Sequence, residues 1–393
     1  MLKRTLLHRR AVAVLAVLVF AAVVAGSLYA AAIARPPTAL IAGMQERRIE
    51  LPGEVLTRLR GKQRANLEQL RQNYFVRDGM PFAKGSGEKA FQLIPLDKME
   101  YRPTTAQINT AKTILPSISR YSAYIAAGPR PVLVPDSVDH RDKQTPIKDQ
   151  NNRGTCVCFA SMAGLEVAYG GGSLDLSEQY ANYLFMKAEG AGCKSAGLQT
   201  HMSADYLTAN GVCVESVCPY QNDKYHFPAY CNNGAATKPP MRSAAEAANP
   251  YKIKTYQKIW RNDSLASDSG TWINNPRYLM ALLAGGHDIV FGTHVAGWVR
   301  PYGGVLDVKL DSSGNPLPSV GGHAMLIVGY DRPGEYFIVK NSWGPDLGHD
   351  GYLYLSFDYI RTYAKYGYVI TAVEPVLTAA PVRIRRFTPG GGS

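Results

Sequence analysis

The chain has 393 residues, 46% hydrophobic, 19% charged and 10% aromatic, which excludes wholesale disorder and collagen-like repeats. The net charge of +12 hints at nucleic acid until it is divided along the chain. Residues 1–34 contribute +4, residues 35–130 carry 16 basic and 8 acidic groups, and residues 375–393 add three Arg; residues 131–374 hold 20 basic against 23 acidic groups. The largest segment is thus slightly acidic, and no nucleic-acid partner is expected.

In chain order, Lys3, Arg4, Arg9 and Arg10 precede Ala11 to Ala34, 24 residues without a charge. That length spans a bilayer. The stretch also reads as a secretory signal, with a basic start, an apolar run, a Gly26-Ser27 break and small residues at Ala30, Ala32 and Ala34. Residues 1–34 are therefore a signal peptide or a signal anchor, and residues 11–34 are the one expected membrane contact. Either way the rest of the chain is exported: periplasmic or secreted, or anchored in an inner membrane. Pro36-Pro37 then breaks the chain. Residues 45–75 are amphipathic at roughly helical spacing, through Ile49, Leu51, Val55, Leu56, Leu59, Leu67, Leu70 and Phe75. Residues 76–130 show turn signals at Asp78-Gly79 and Gly85-Ser86-Gly87 and few clear elements.

Composition changes near Gly128-Pro129-Arg130-Pro131, so residues 131–374 form the main domain. Helices are predicted over 156–169, ending at Gly170-Gly171-Gly172, and over 177–187 and 198–209. Ala324–Val328 and Tyr336–Val339 flank the turn Arg332-Pro333-Gly334 and read as an antiparallel hairpin. The domain begins helical and ends β-rich, an α+β arrangement. Residues 375–393 form a basic, Gly-rich tail expected to be disordered. The six Cys (156, 158, 193, 213, 218 and 231) lack zinc-module spacing, so no metal and no cofactor is expected. Export makes disulfides permissible.

Cys156 stands where a helix begins, and a helix N-terminus favours the thiolate. His323 precedes one hairpin strand and Asn341 ends the other, so the hairpin can bring them together. A nucleophile, a base and a group that orients the base are the parts of nucleophilic acyl transfer. Any chain has a Cys, a His and an Asn, so their flanking residues decide. These are Val134-Pro135-Asp136 to Arg141, Thr145-Pro146-Ile147-Lys148-Asp149-Gln150, Arg153-Gly154-Thr155-Cys156-Val157-Cys158-Phe159-Ala160, Leu176-Ser177-Glu178-Gln179, Pro219-Tyr220, Gly322-His323-Ala324 through Tyr330, and Lys340-Asn341-Ser342-Trp343-Gly344. In this order the blocks resemble the papain family of cysteine peptidases.

The resemblance implies a papain-like α+β fold of two lobes, one helical and one β-barrel-like, with the active site in the cleft between them. It implies Cys156 as nucleophile, His323 as its ion-pair partner and Asn341 as the group that holds the imidazole. Trp343 would shield that hydrogen bond, and Gln150 with the Cys156 amide would form the oxyanion hole. His323 and Asn341 lie 167 and 185 residues after Cys156, beyond the usual span of about 130–150; an insertion between about 232 and 320 absorbs the difference. Three positions depart from the family. Val157 replaces a Trp, Arg153 stands where a disulfide Cys is usual, and Cys193-Lys194-Ser195-Ala196-Gly197 replaces a Cys-Asn-Gly-Gly stretch. Cys193–Cys231 fits a family disulfide approximately, Cys213–Cys218 would close a short loop, and Cys158 is a buried thiol. The residue nearest the side-chain specificity position is Thr371.

Residues 35–130 occupy the place of the family's inhibitory pro-segment, to be cut near 118–133 on activation; a membrane-proximal spacer is the alternative. The expected protein is thus an exported cysteine endopeptidase made as a zymogen, with protein or peptide substrates and its own pro-segment as intramolecular inhibitor. Two rivals remain: a thiol acyltransferase or amidase using the same groups, and a catalytically silent, membrane-tethered binding module on the same fold.

Overall fold

The structure is a computed structural model describing residues 59, 61–101, 103–107, 134–190, 197–221, 250–263 and 270–376, with backbone alone at 231–232 and 235–236. The expected export segment, the cut region, Cys193, the side chain of Cys231 and the tail from 377 lie outside the described residues. Among the described residues no helix is long and apolar enough to cross a membrane.

The N-terminal segment starts with α1 (Leu67–Asn73), whose Asn66 cap accepts the amides of Glu68 and Gln69. A three-stranded antiparallel sheet follows: β1 (Tyr74–Arg77), β2 (Met80–Lys84) and β3 (Ala90–Gln92). This corrects the helical reading of residues up to 75. Asp78 and Gly79, at φ 51° and 79°, form the two-residue hairpin turn that Asp-Gly favours, and Phe75 faces Phe82 across it. A short helix, α2 (Leu96–Met99), completes the segment.

The main domain opens with β4 (Ser137–Asp139) and a 3₁₀ turn, then the helices α3 (Cys156–Ala168), α4 (Glu178–Ala188) and α5 (Thr200–Ala209). All three predicted helices form, with ends shifted by one or two residues. Helix α3 is apolar nearly all round and buried from Cys156 to Glu166. Gly164 lets it lie close on the sheet, because a Cβ there would come within 2.7 Å of Val290. The chain continues through β5 (Cys231–Asn232), β6 (Ala235–Ala236), β7 (Ile253–Trp260), α6 (Pro276–Ala284), β8 (Ile289–Val295), β9 (Val305–Leu306), β10 (Gly321–Asp331), β11 (Tyr336–Lys340), β12 (Tyr352–Ser356), α7 (Phe357–Tyr363) and β13 (Ala364–Val373).

The large sheet runs β7-β13-β8-β10-β11-β12-β9, with β4 added to β10. Its pairings are antiparallel except β12–β9. Strand β10 changes partners along its length: Gly321–Met325 pair with β8, and Leu326–Asp331 pair with β11. The predicted hairpin is this β10–β11 pair. One face of the sheet packs on α3–α5 through Val290, Ala324, Leu326 and Val328. The other packs on α6 and α7 through Phe291, Met325, Ile327 and Val339. Cys156 is thereby carried onto β10 from one side, while Asn341 follows β11 on the next strand.

Candidate active site

His323 Nε2 and Asn341 Oδ1 are 2.8 Å apart, and the same Asn oxygen accepts the Ser342 amide at 2.8 Å. The hairpin register explains the meeting: Leu326 lies opposite Lys340, so the residues flanking that pair reach the same end of the two strands. With the imidazole held through Nε2, its Nδ1 is buried without a hydrogen-bond partner. The Cys156 sulfur accepts the backbone N–H of Ala324, the residue after His323. Trp343 lies over the imidazole with ring centroids 4.6 Å apart. Gln150 is tied alongside: its amide donates to Ser342 O at 2.9 Å, and its side-chain oxygen accepts the Ser342 hydroxyl at 2.7 Å. Its Nε2 donates to Arg153 O at 2.9 Å and faces Gln92 O of the N-terminal segment at 3.5 Å. The structure thus brings Gln150, Cys156, His323, Asn341 and Trp343 to the junction of α3, β10 and the turn after β11.

In the covered chain burial, not the helix start, governs the thiol. Burial pushes the Cys156 thiol up to about 12 and the His323 imidazole down to about 4. Both side chains are wholly inaccessible, and desolvation outweighs the helix terminus. The cover is the N-terminal segment. Ile94 and Gly322 exchange two backbone hydrogen bonds of 2.7 Å each. Phe91 stacks on Trp343 at 4.8 Å and 5°. Met99 lies so close to Gly322 that no Cβ fits there, and its sulfur accepts the Tyr366 hydroxyl at 3.3 Å. Gly197, at φ 84°, lets the segment approach closely, since a Cβ there would sit 2.5 Å from Pro95. Farther out, Asn73 donates to Trp298 O and accepts the Arg300 amide, and Tyr302 donates to Lys84 O at 2.6 Å.

Two departures from the family pattern have structural accounts. Arg153 is buried, and its guanidinium donates to Gln179 Oε1 at 2.7 Å and to Gln221 O at 2.6 Å while lying over the Tyr220 ring. It ties the loop before α3 to two distant segments, as a covalent bridge would. Val157 is a buried apolar residue of α3. Cys158 is a buried free thiol, as expected. The Cys213–Cys218 bridge is not formed: Cys213 is a free thiol that burial pushes up to about 12. Ser177 holds the backbones of both, through Cys213 O and Cys218 O, without closing a bond between them. Thr371 is partly exposed and donates to Thr255 Oγ1 at 2.7 Å. Sequence reasoning missed Trp298, which presents an edge to His323 and to Trp343 at 6.4 and 6.0 Å. It lies in the stretch treated as an insertion, where no local pattern marks it.

A profile described as papain family cysteine protease matches residues 134–367. Chymopapain of Carica papaya is 32% identical over 228 residues, covering 56% of this chain and 54% of chymopapain. A viral cathepsin of Cydia pomonella granulosis virus is 25% identical, covering 58% of this chain and 59% of that protein. The chain thus spans little more than half the length of these relatives. The crystal structure of xylellain, a cysteine protease from Xylella fastidiosa, superposes with a TM-score of 0.50 at 25% identity, covering 72% of this chain and 96% of xylellain. The profile accounts for more than half of the residues and contains every side chain of the buried Gln–Cys–His–Asn cluster, and the chain belongs to the papain family of cysteine proteases.

Proposed function

We propose that this protein is an exported cysteine endopeptidase made as a zymogen, with residues 35–130 as its pro-segment and 131–374 as the peptidase domain. One observation carries the reading: the imidazole bonded to Asn341 through Nε2 keeps Nδ1 free, beside the strand residue whose amide the Cys156 sulfur accepts. With the cover removed, water and substrate reach both groups, and the proton of Cys156 passes to His323 Nδ1. The thiolate adds to a peptide carbonyl, forming a C–S bond while the carbonyl π electrons move to oxygen. Gln150 Nε2 and the Cys156 amide stabilise that oxyanion. Collapse breaks the C–N bond, and the amine leaves with the proton from His323. Water, deprotonated by His323, then cleaves the thioester and restores the thiol.

The pro-segment supports the zymogen reading because it fills the site with its own backbone and with Phe91, Ile94 and Met99, all buried. Export rests on the sequence of residues 1–34. The test is alkylation of Cys156 by iodoacetamide at pH 5.5, before and after trypsin nicks the linker at Lys112 or Arg120, with peptide hydrolysis measured in parallel. The expected result is slow labelling of the intact chain, then fast labelling and hydrolysis after nicking, both lost in His323→Ala. A folded, nicked protein with an unreactive Cys156 sinks the reading and leaves the silent binding module. A new amide bond in the products, in place of free termini, makes it an acyltransferase.

A further inference from the structure

At the start of α5, Thr200 and His201 are both wholly buried, and Thr200 Oγ1, His201 Nδ1 and His201 Nε2 have no hydrogen-bond partner. Buried polar atoms are normally paired, so three left unpaired side by side mark a site that lacks its partner. Helix α5 has ten residues, and its Gln199 cap makes no side-chain hydrogen bond to the first turn. This end of the helix is therefore short of acceptors.

The pro-segment seals these groups. The ring of Tyr101 lies 3.9 Å from the His201 ring and stacks on Trp260 at 5.3 Å. Two residues earlier, Met99 contacts Tyr366, whose own ring is 4.8 Å from His201. Gly292 marks where the walls converge: a Cβ there would be 2.6 Å from Tyr366 and 3.0 Å from Thr200 Oγ1. Met99 and Tyr101 leave with the pro-segment, so they act as plugs, and the surface they uncover adjoins Gly322 and the His323 imidazole.

We infer that the space vacated by Met99 and Tyr101 is a substrate side-chain pocket in which Thr200 and His201 select an unbranched side chain ending in a neutral carbonyl, namely glutamine. Methionine and glutamine have nearly the same length and volume, so Met99, which reaches Tyr366 beside His201, reports the length of side chain that fits. The unmet partners report the chemistry: a hydroxyl, a neutral imidazole and an uncapped helix start are satisfied by a carboxamide and left unsatisfied by a thioether or an alkyl chain. Burial holds His201 neutral in the covered chain, down to about 3, and once uncovered the imidazole is neutral above its ordinary value of about 6.5, so the selection is read at pH 8. A carboxylate fits less well, because Glu189 already holds the Gln199 amide at 3.1 Å and faces Tyr366 electrostatically. The nearby cation Lys258 is neutralised by Asp205 at 2.5 Å.

The inference rests on the peptidase reading, and its test separates the two. The full chain, nicked at Lys112 or Arg120, is given a fluorogenic peptide library with each position before the scissile bond varied among Gln, Glu, Met, Leu and Phe. At one position Gln is expected to exceed Met and Leu by about tenfold or more in kcat/KM, with Glu below Gln. In Thr200→Val and His201→Phe the Gln-to-Met ratio falls towards one, a readout that misfolding alone does not move. Cleavage with Met or Leu preferred at every position overturns the inference and leaves the peptidase reading standing, as does an unchanged ratio in both variants. No cleavage with an unreactive Cys156 overturns both.

Discussion

The domain from Val134 onward and the segment from Leu59 to Gln107 meet at the same few groups but are built differently. In the domain, each side chain of the Cys–His–Asn cluster is fixed by a sheet register or a helix start. His323 is set by β10, Asn341 by the end of β11, and Cys156 by the first turn of α3. Such contacts join residues far apart in the chain and form only when the whole sheet forms. The segment has a small three-stranded sheet of its own and otherwise borrows structure. Its backbone pairs with Gly322, and its Phe91, Met99 and Tyr101 rest on Trp343, Tyr366 and His201. One region carries its geometry internally, while the other completes its core on a surface. The difference suits the proposed zymogen, in which the segment's core would be lost on detachment and the domain's would not.

The largest expected effect breaks the domain side of this comparison. On the proposed mechanism Gln150→Ala removes an oxyanion-hole donor and should lower kcat of the nicked enzyme about 100- to 1000-fold, or roughly 3–4 kcal/mol of barrier. Pro-segment binding should change little, because the amide contact to Gln92 O is long at 3.5 Å. Steady-state kinetics beside a pull-down of the nicked fragment checks both halves. A loss of less than fivefold in kcat would show that Gln150 lies outside the oxyanion hole, and that the Ser342 and Arg153 bonds hold a structural side chain.

The same contrast explains how much was legible in the sequence. The motif blocks around Cys156, His323 and Asn341 are local, and each encodes a helix start or strand end that survives in the fold. The hairpin Ala324–Val328 with Tyr336–Val339 was readable because a turn separates two β-branched runs. The segment's hairpin was not read, although Asp78-Gly79 was noticed. Tyr74–Arg77 and Met80–Lys84 do not alternate cleanly, since Phe82 and Ala83 are both buried against different neighbours. Met99 and Tyr101 act through contacts 100 or more residues away in sequence and Trp298 through contacts 25 and 45 residues away, and no local pattern announces such packing. Arg153 looked like a missing disulfide, and only its reach to Gln179 and Gln221 shows what replaces it.

A second, smaller effect concerns pH. In the covered chain burial holds His201 down to about 3. Uncovering lets this imidazole return towards the ordinary value of about 6.5. The folded, covered state therefore binds fewer protons than the open one between about 3 and 6.5. Its stabilisation is complete above that window and is lost as pH falls through it. His323 adds little, because a proton passed to it from Cys156 leaves the number bound by the pair unchanged. His201 alone makes the nicked pro-segment leave about tenfold or more readily at pH 5 than at pH 8. Gel filtration of the nicked chain at the two values measures this. Equal retention at pH 5 and pH 8 would show that His201 stays neutral after the segment leaves.

The smallest effect sharpens the comparison by testing charge. The basic segment meets the acidic domain through Lys89 and Asp149 at 2.9 Å, and through Lys62 with Asp307 and Asp358 at 2.6 and 3.2 Å. Lys89 is about half exposed, at 47%. An exposed pair contributes roughly 0–1 kcal/mol and is screened by salt. Asp149 keeps its place without Lys89, because its other oxygen accepts the Asn151 amide at 2.8 Å. Lys89→Ala should therefore weaken pro-segment binding by less than about fivefold at low salt, and the difference should vanish near 1 M salt. Titration of the separated pro-segment against the nicked domain at both ionic strengths decides it. A loss beyond thirtyfold would mean that charge holds the cover down. The small expected loss leaves that work to the Ile94–Gly322 pairing and to the buried faces of Phe91 and Met99, which salt does not screen.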